Sequence, residues 1–151
     1  QIELGFNYRM TELQAALGLS QMDRLDTYVE RRHALARRYG ELLADLPVTI
    51  PWQAPSQYSA FHLYVIRLKL YAIGQPHRKI FESLREQGIG VNLHYIPVYQ
   101  QPYYAGKIYG NGPFPESECY YDEAISLPMY PLMTNEQQDK VVYCLSRAIT
   151  S

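Results

Sequence analysis

Cysteine is scarce in this chain, and the two present, Cys119 and Cys144, lack metal-ligand spacing and suggest no disulfide framework. A zinc module and a disulfide-stapled secreted fold are therefore not expected, and the expected compartment is a reducing cytoplasm. An excess of charge of one sign is lacking too. Fourteen Lys and Arg stand against fifteen Asp and Glu, for a net charge of −1, which argues against a general electrostatic surface for nucleic acid. No apolar run approaches the roughly 20 residues that span a bilayer, and no signal-peptide pattern is visible, so no membrane partner is expected. The glycines form no Gly-x-Gly-x-x-Gly or phosphate-loop pattern. The four histidines share no spacing that suggests a metal site. Ser20, Ser59 and Ser126 have no Asp–His arrangement readable beside them, so a nucleophilic triad is unsupported. Internal repeats and low-complexity segments are absent as well.

What is there is a chain of 151 residues with 47% hydrophobic content, enough for one domain with its own core. Its fifteen tyrosines cluster at 95–109 and 120–130, the mark of packed loops or of a surface that faces a substrate.

The richest stretch is Gly5-Phe6-Asn7-Tyr8-Arg9-Met10-Thr11, followed by Glu12-Leu13-Gln14-Ala15-Ala16-Leu17. Thr11 and Gln14 have capping-box spacing, so a helix is expected from about Thr11 to Met22. Leu13, Ala16 and Leu17 would be its buried stripe. Asn7, Tyr8 and Arg9 then sit on a loop at a helix N-terminus, where amides and positive charge suit a phosphate or carboxylate. Spacing alone equally allows a loop whose polar groups only satisfy the backbone.

A longer helix is expected over 25–46, with Leu25, Tyr28, Val29, Leu35, Ala36, Tyr39, Leu42, Leu43 and Leu46 on its inner face. Its band of Arg31, Arg32, Arg37 and Arg38 reads as a solvated face with local ion pairs. Pro47, Pro51 and Pro55 mark a connecting segment. Residues 61–70 read as a buried strand, with His62 a structural residue inside it. Pro76 opens a helix that ends at Gly88. Residues 89–93 form the next strand, 96–115 a long loop, 115–123 a short helix and 124–127 a strand. Thr134 and Gln137 repeat the capping-box spacing and open a last helix carrying Val141, Val142, Leu145 and Ile149. His33 and His77 are expected on helix surfaces. The alternation of helix and strand predicts an α/β or α+β sandwich, with helices packed on a small sheet.

Several of these segments resemble one family in the same order. They are Gly5 to Thr11 with Gln14 to Gln21, Arg38-Tyr39, Ser59 to Tyr64, Gly88 to Val98, and Ser126 to Pro131. Together they resemble the DegT/DnrJ/EryC1/StrS sugar aminotransferases, which depend on pyridoxal 5′-phosphate. The resemblance covers nearly the whole chain. Its pattern is nearest to enzymes that aminate a nucleotide-linked 4-keto-6-deoxy hexose in surface-polysaccharide or glycan biosynthesis, such as the pseudaminic acid pathway transaminase. It implies the small C-terminal domain of a fold-type I aminotransferase. Residues 1–50 would be a motif loop and helical arm leading from a large domain, and 51–151 the small subdomain. It also implies a homodimer, with the nucleotide sugar and glutamate as small-molecule partners.

For particular residues, the resemblance implies that Asn7 donates to the cofactor phosphate of the partner subunit. Arg9 would contact that phosphate or the substrate's diphosphate. Tyr8, His94 and Tyr95 would lie on the substrate side. His94 also suits that role by position, at a strand end entering a long loop, although a satisfied structural histidine fits the same position. The lysine that binds the cofactor covalently in such enzymes belongs to the large domain, and takes and returns the proton during transfer. None of Lys69, Lys79, Lys107 and Lys140 suits that role. With Gln1 first and no initiator Met, the expectation is a C-terminal part, inactive alone. Two other expectations stay open. One is a sugar dehydratase of the same family, with histidine in place of that lysine. The other is a non-catalytic module for dimerisation or sugar-nucleotide binding.

Overall fold

The capping box forms as the sequence predicts. The Thr11 hydroxyl accepts from the Gln14 amide at 3.3 Å, and the Gln14 side chain accepts from the Thr11 amide at 2.9 Å. The helix it opens, α1, spans Glu12–Met22. The structure is a computed structural model, and residues 5, 6, 8–104, 107 and 114–150 are described. The expected stripe of α1 is not buried: Leu13 is 84% and Leu17 64% exposed, and the helix buries none of its residues. Periodicity names the apolar side of a helix. Burial needs an element packed against that side, and the described residues supply none.

Helix α2, Leu25–Leu42, ends four residues earlier than expected, with Leu43 as its C-cap. Leu35, Ala36, Tyr39 and Leu43 enter the core. The Pro-rich connector contains a short strand, β1 (Val48–Thr49), which pairs antiparallel with β2 (Tyr64–Leu68). Strand β2 starts at Tyr64 rather than at 61. Phe61 has a φ of +45°, a left-handed conformation that breaks extended geometry, and His62 is exposed outside the strand. A single turn, α3 (Leu70–Ile73), stops at Gly74 with φ +72°.

Helix α4 spans His77–Glu86, with Pro76 at the N-cap, one position before the expected first turn. Its end is a complete Schellman motif. The Ile89 amide donates to the Leu84 carbonyl and the Gly88 amide to the Arg85 carbonyl, each at 3.0 Å, while Gly88 takes φ +76°. That motif occupies Ile89, so the strand expected over 89–93 shrinks to β3, Asn92–Leu93. A 3-10 turn follows at Val98–Gln100. Helix α5 (Pro115–Glu123), strand β4 (Ala124–Leu127) and helix α6 (Asn135–Thr150) complete the order.

Among the described residues the sheet has four strands in the order β1-β2-β4-β3, every neighbouring pair antiparallel, which makes the fold α+β. On one face Tyr64, Ile66, Leu68, Ile125 and Leu127 pack with residues of α2, α4 and α6 into one core. On the other face Arg67 of β2 reaches α5, with Nε 2.9 Å from a Glu123 carboxylate oxygen and Nη2 3.3 Å from Cys119 Sγ. This second, more polar face carries Ser126.

The arginine band of α2 is no simple solvated face. Arg31 donates to the Met133 carbonyl at 2.6 Å, and Arg32 to the carbonyls of Phe61, His62 and Met129 at 2.9–3.2 Å. Arg38 pairs with Asp139 of α6 at 2.7 Å. These side chains tie α2 to the loops that flank the sheet and to α6 rather than to neighbours on their own helix.

Candidate functional site

Two groups of candidate residues come from opposite parts of the chain. The first, at the entry to α1, comprises Tyr8 and Arg9; Asn7 lies outside the described residues. Tyr8 is 91% exposed and stacks on Phe6, ring centroids 5.5 Å apart. Arg9 is exposed as well. The helix start beside them is already engaged, because Thr11 and Gln14 bond each other.

The second group lies where β3 gives way to the long loop. β3 pairs with β4 in the register Asn92↔Ser126, Leu93↔Ile125. Side chains alternate along a strand, so His94 falls on the same face as Asn92 and Ser126. His94 Nε2 and the Ser126 hydroxyl form a short hydrogen bond there. Tyr95 and Tyr120 flank the imidazole at 6.3 and 6.4 Å between ring centroids. Burial pushes the His94 imidazole below its ordinary pKa, because desolvation disfavours the charged ring. Arg67 lies over the Tyr120 ring at 6.0 Å and is held by its ion pair with Glu123. Tyr95 is 86% exposed, a large aromatic surface projecting beside a half-buried histidine.

The structure thus brings His94 and Tyr95 together at one sheet edge, and Tyr8 and Arg9 together on the arm. Clefts of about 530 and 520 Å³ are lined by other residues. The first lies around Trp52, Tyr58 and Phe61, the second around Tyr130, Met133 and Lys140. Beside the first, His33 is not a bare helix-surface residue. It stacks on Tyr58 at 4.3 Å and donates to the Ser59 carbonyl at 2.7 Å. His77 likewise donates to the Ala124 carbonyl at 3.1 Å. Sequence reasoning passed over Ser126, Tyr120 and Arg67 as site neighbours. No spacing signal links them to His94, because they meet only through the sheet and the α5 helix packed beside it.

The described residues do not by themselves make a site for pyridoxal phosphate. Lys79 and Lys140 are exposed on helices, and Lys69 is half-buried at the N-cap of α3. Lys107 is exposed and lies over the Tyr103 ring at 3.3 Å. None of them has the desolvated pocket a covalently bound cofactor needs. Arg9 offers one exposed charge, without an enclosing set of donors.

This is an α+β domain that presents residues from an arm and a sheet edge rather than from an enclosed pocket of its own. The chain belongs to the DegT/DnrJ/EryC1/StrS aminotransferase family, whose model matches residues 1–146. Members of that family depend on pyridoxal phosphate. The chain is 36% identical over 141 residues to the spore coat polysaccharide biosynthesis protein SpsC of Bacillus subtilis, covering 91% of this chain and 36% of that protein. The fold matches PseC of Helicobacter pylori, an aminotransferase involved in the biosynthesis of pseudoaminic acid. That match has a TM-score of 0.87 at 28% identity, over 97% of this chain and 39% of PseC. DesV of S. venezuelae matches with a TM-score of 0.88 at 30% identity, over 99% of this chain and 39% of DesV. The chain therefore spans well under half the length of these relatives, and the part it matches is the C-terminal part of a fold-type I aminotransferase.

Proposed function

We propose that this chain is the C-terminal part of an aminotransferase that moves an amino group from glutamate to a nucleotide-linked 4-keto-6-deoxy sugar, in the making of a surface polysaccharide or glycan. The observation that carries the reading is the family match over residues 1–146, together with the likeness to SpsC and PseC. Pyridoxal phosphate, when bound, supplies a carrier for the amino group and a sink for electrons. The chain's own residues orient and neutralise. Asn7 and Arg9 contact phosphate oxygens in the partner subunit's site, where Arg9 adds charge to fixed donors. Tyr8 supplies apolar surface beside them. His94 and Tyr95 bound the sugar side, His94 as a neutral hydrogen-bonding group. The active form in this reading is a cytoplasmic homodimer. Residues 1–50 join the small domain to the large one, with β1 and the second half of α2 anchored in the core.

On this reading the chain is inactive alone, a view supported by the surroundings of Lys69, Lys79, Lys107 and Lys140. Incubation with pyridoxal phosphate and borohydride is expected to leave no stoichiometric adduct at one lysine. A single trapped lysine would overturn this. Reading the frame upstream of Gln1 decides the chemistry. A lysine there supports the aminotransferase, a histidine the dehydratase, and no cofactor domain a binding module. Amination of a nucleotide-linked 4-keto-6-deoxy hexose by the intact enzyme with glutamate, followed by mass spectrometry, then tests the substrate.

A further inference from the structure

Ser126 is an unusual occupant of its place. It lies in the middle of β4, paired with Val65 on one side and Asn92 on the other, and is only 4% exposed. Its neighbours Ala124, Ile125 and Leu127 are apolar and buried. A hydroxyl in such a place is unfavourable unless it is bonded. Its bond is to His94 Nε2, from a residue 32 positions earlier in the chain.

The two ends of that bond differ in freedom. Ser126 is fixed by ladder pairing on both sides of its strand. His94 lies just beyond β3, a strand of two residues, at the mouth of the long loop. The central strand therefore holds the edge histidine, and not the reverse. A serine hydroxyl can donate or accept; where it donates to Nε2, that nitrogen is the acceptor and the ring proton lies on Nδ1.

We propose that Ser126 is a positioning residue, its hydroxyl donating to His94 Nε2 so that the imidazole is held in one orientation and in the Nδ1–H tautomer, with Nδ1–H the group offered to the nucleotide-linked sugar. This rests on the reading of His94 as a substrate-side residue. The groups that surround the ring are Tyr95 from its own segment and Tyr120 from α5, with Arg67 of β2 and Glu123 of α5 behind Tyr120. None of these is bonded to Nε2 in place of Ser126.

The first test is nitrogen NMR of the histidine rings in this chain, at a pH where His94 is neutral. The wild type is expected to show the Nδ1–H tautomer for His94, and a wild-type Nε2–H tautomer overturns the proposal. Ser126→Ala is expected to show a mixture, and Ser126→Thr, which keeps the hydroxyl, to restore the single form. If Thr does not fit, Ser126→Cys, a weaker donor, should fall between. An unchanged tautomer in Ser126→Ala overturns the proposal, whatever happens to stability. The second test is kinetic, in the intact enzyme. Ser126→Ala should raise KM for the sugar nucleotide about threefold to tenfold, with kcat changed by less than about twofold. His94→Ala should raise KM at least as much, and the double variant no further. A tautomer shift with KM unmoved by His94→Ala would instead overturn the substrate role of His94, and with it the claim for Nδ1.

Discussion

The Tyr39 hydroxyl donates a 2.8 Å hydrogen bond to the Pro128 carbonyl, joining α2 to the segment that leaves β4. Its ring stacks on Tyr64 with centroids 5.0 Å apart, and both tyrosines are buried. Burial raises both phenols, Tyr39 well above its ordinary value and Tyr64 to about 12. The folded state therefore keeps protons that the unfolded chain releases from about pH 10 upward. Stability from this source is complete below pH 10 and is lost as pH rises through the folded values. Denaturant unfolding measured from pH 8 to 12 should show a loss approaching about 1.4 kcal/mol per pH unit for each group. Tyr39→Phe should flatten that slope by one group, while costing about 0.5–1.5 kcal/mol at pH 7 for the lost hydrogen bond.

Gly88→Ala tests the Schellman end of α4. An added Cβ would meet nothing within 4 Å, so crowding does not contribute. The φ of +76° does, and the substitution should destabilise by about 1–2 kcal/mol. A neutral result in thermal or denaturant unfolding would mean that the motif relaxes without loss.

The exposed apolar residues of the arm should drive self-association. Phe6, Met10, Leu13, Leu17, Leu19 and Met22 are each more than 60% exposed, and exposed apolar surface of this kind drives association. Light scattering should report a dimer or larger assembly, and Leu13→Lys with Leu17→Glu should reduce it. A monomer across a wide concentration range in the unsubstituted chain would contradict this.

In the intact enzyme, Asn7→Ala should weaken retention of pyridoxal phosphate about tenfold to a hundredfold, the loss of a hydrogen bond to a charged group. Arg9→Ala should weaken phosphate or sugar-nucleotide binding by a similar order. A subunit carrying Asn7→Ala, mixed with one lacking its cofactor lysine, restores a site with both wild-type elements only if those elements come from different subunits. Mixed dimers that fold but recover no activity would remove the cross-subunit role.

The C-terminal third was legible because its punctuation is local. Pro115 sets the first turn of α5, and Thr134 with Gln137 forms the box that opens α6, Gln137 Oε1 accepting from the Thr134 amide at 2.9 Å. What escaped reading depends on contact. β1 exists because Val48 finds Leu68, and Phe61 takes its left-handed turn beside carbonyls that Arg32 gathers. The apolar stripe of α1 was visible as a pattern, but a pattern does not say what covers it. His94 was visible as a strand-end histidine. Its partner Ser126 was not, since the sheet alone brings the two together.

The strand order has a consequence for how the chain is made. β2 meets its inner neighbour β4 only after roughly 60 further residues, and β3 pairs with β4 alone. At a synthesis rate of about 5–20 residues per second, the inner edge of β2 stands open for about 3–12 s while the rest is translated. During that time β2 has at most β1 as a partner, and its inner edge, with the Tyr64, Ile66 and Leu68 row uncovered, is the kind of edge that recruits other chains. At this strand the nascent chain, rather than the finished fold, is the form open to other chains, and slower translation of residues 69–123 would lengthen the exposure.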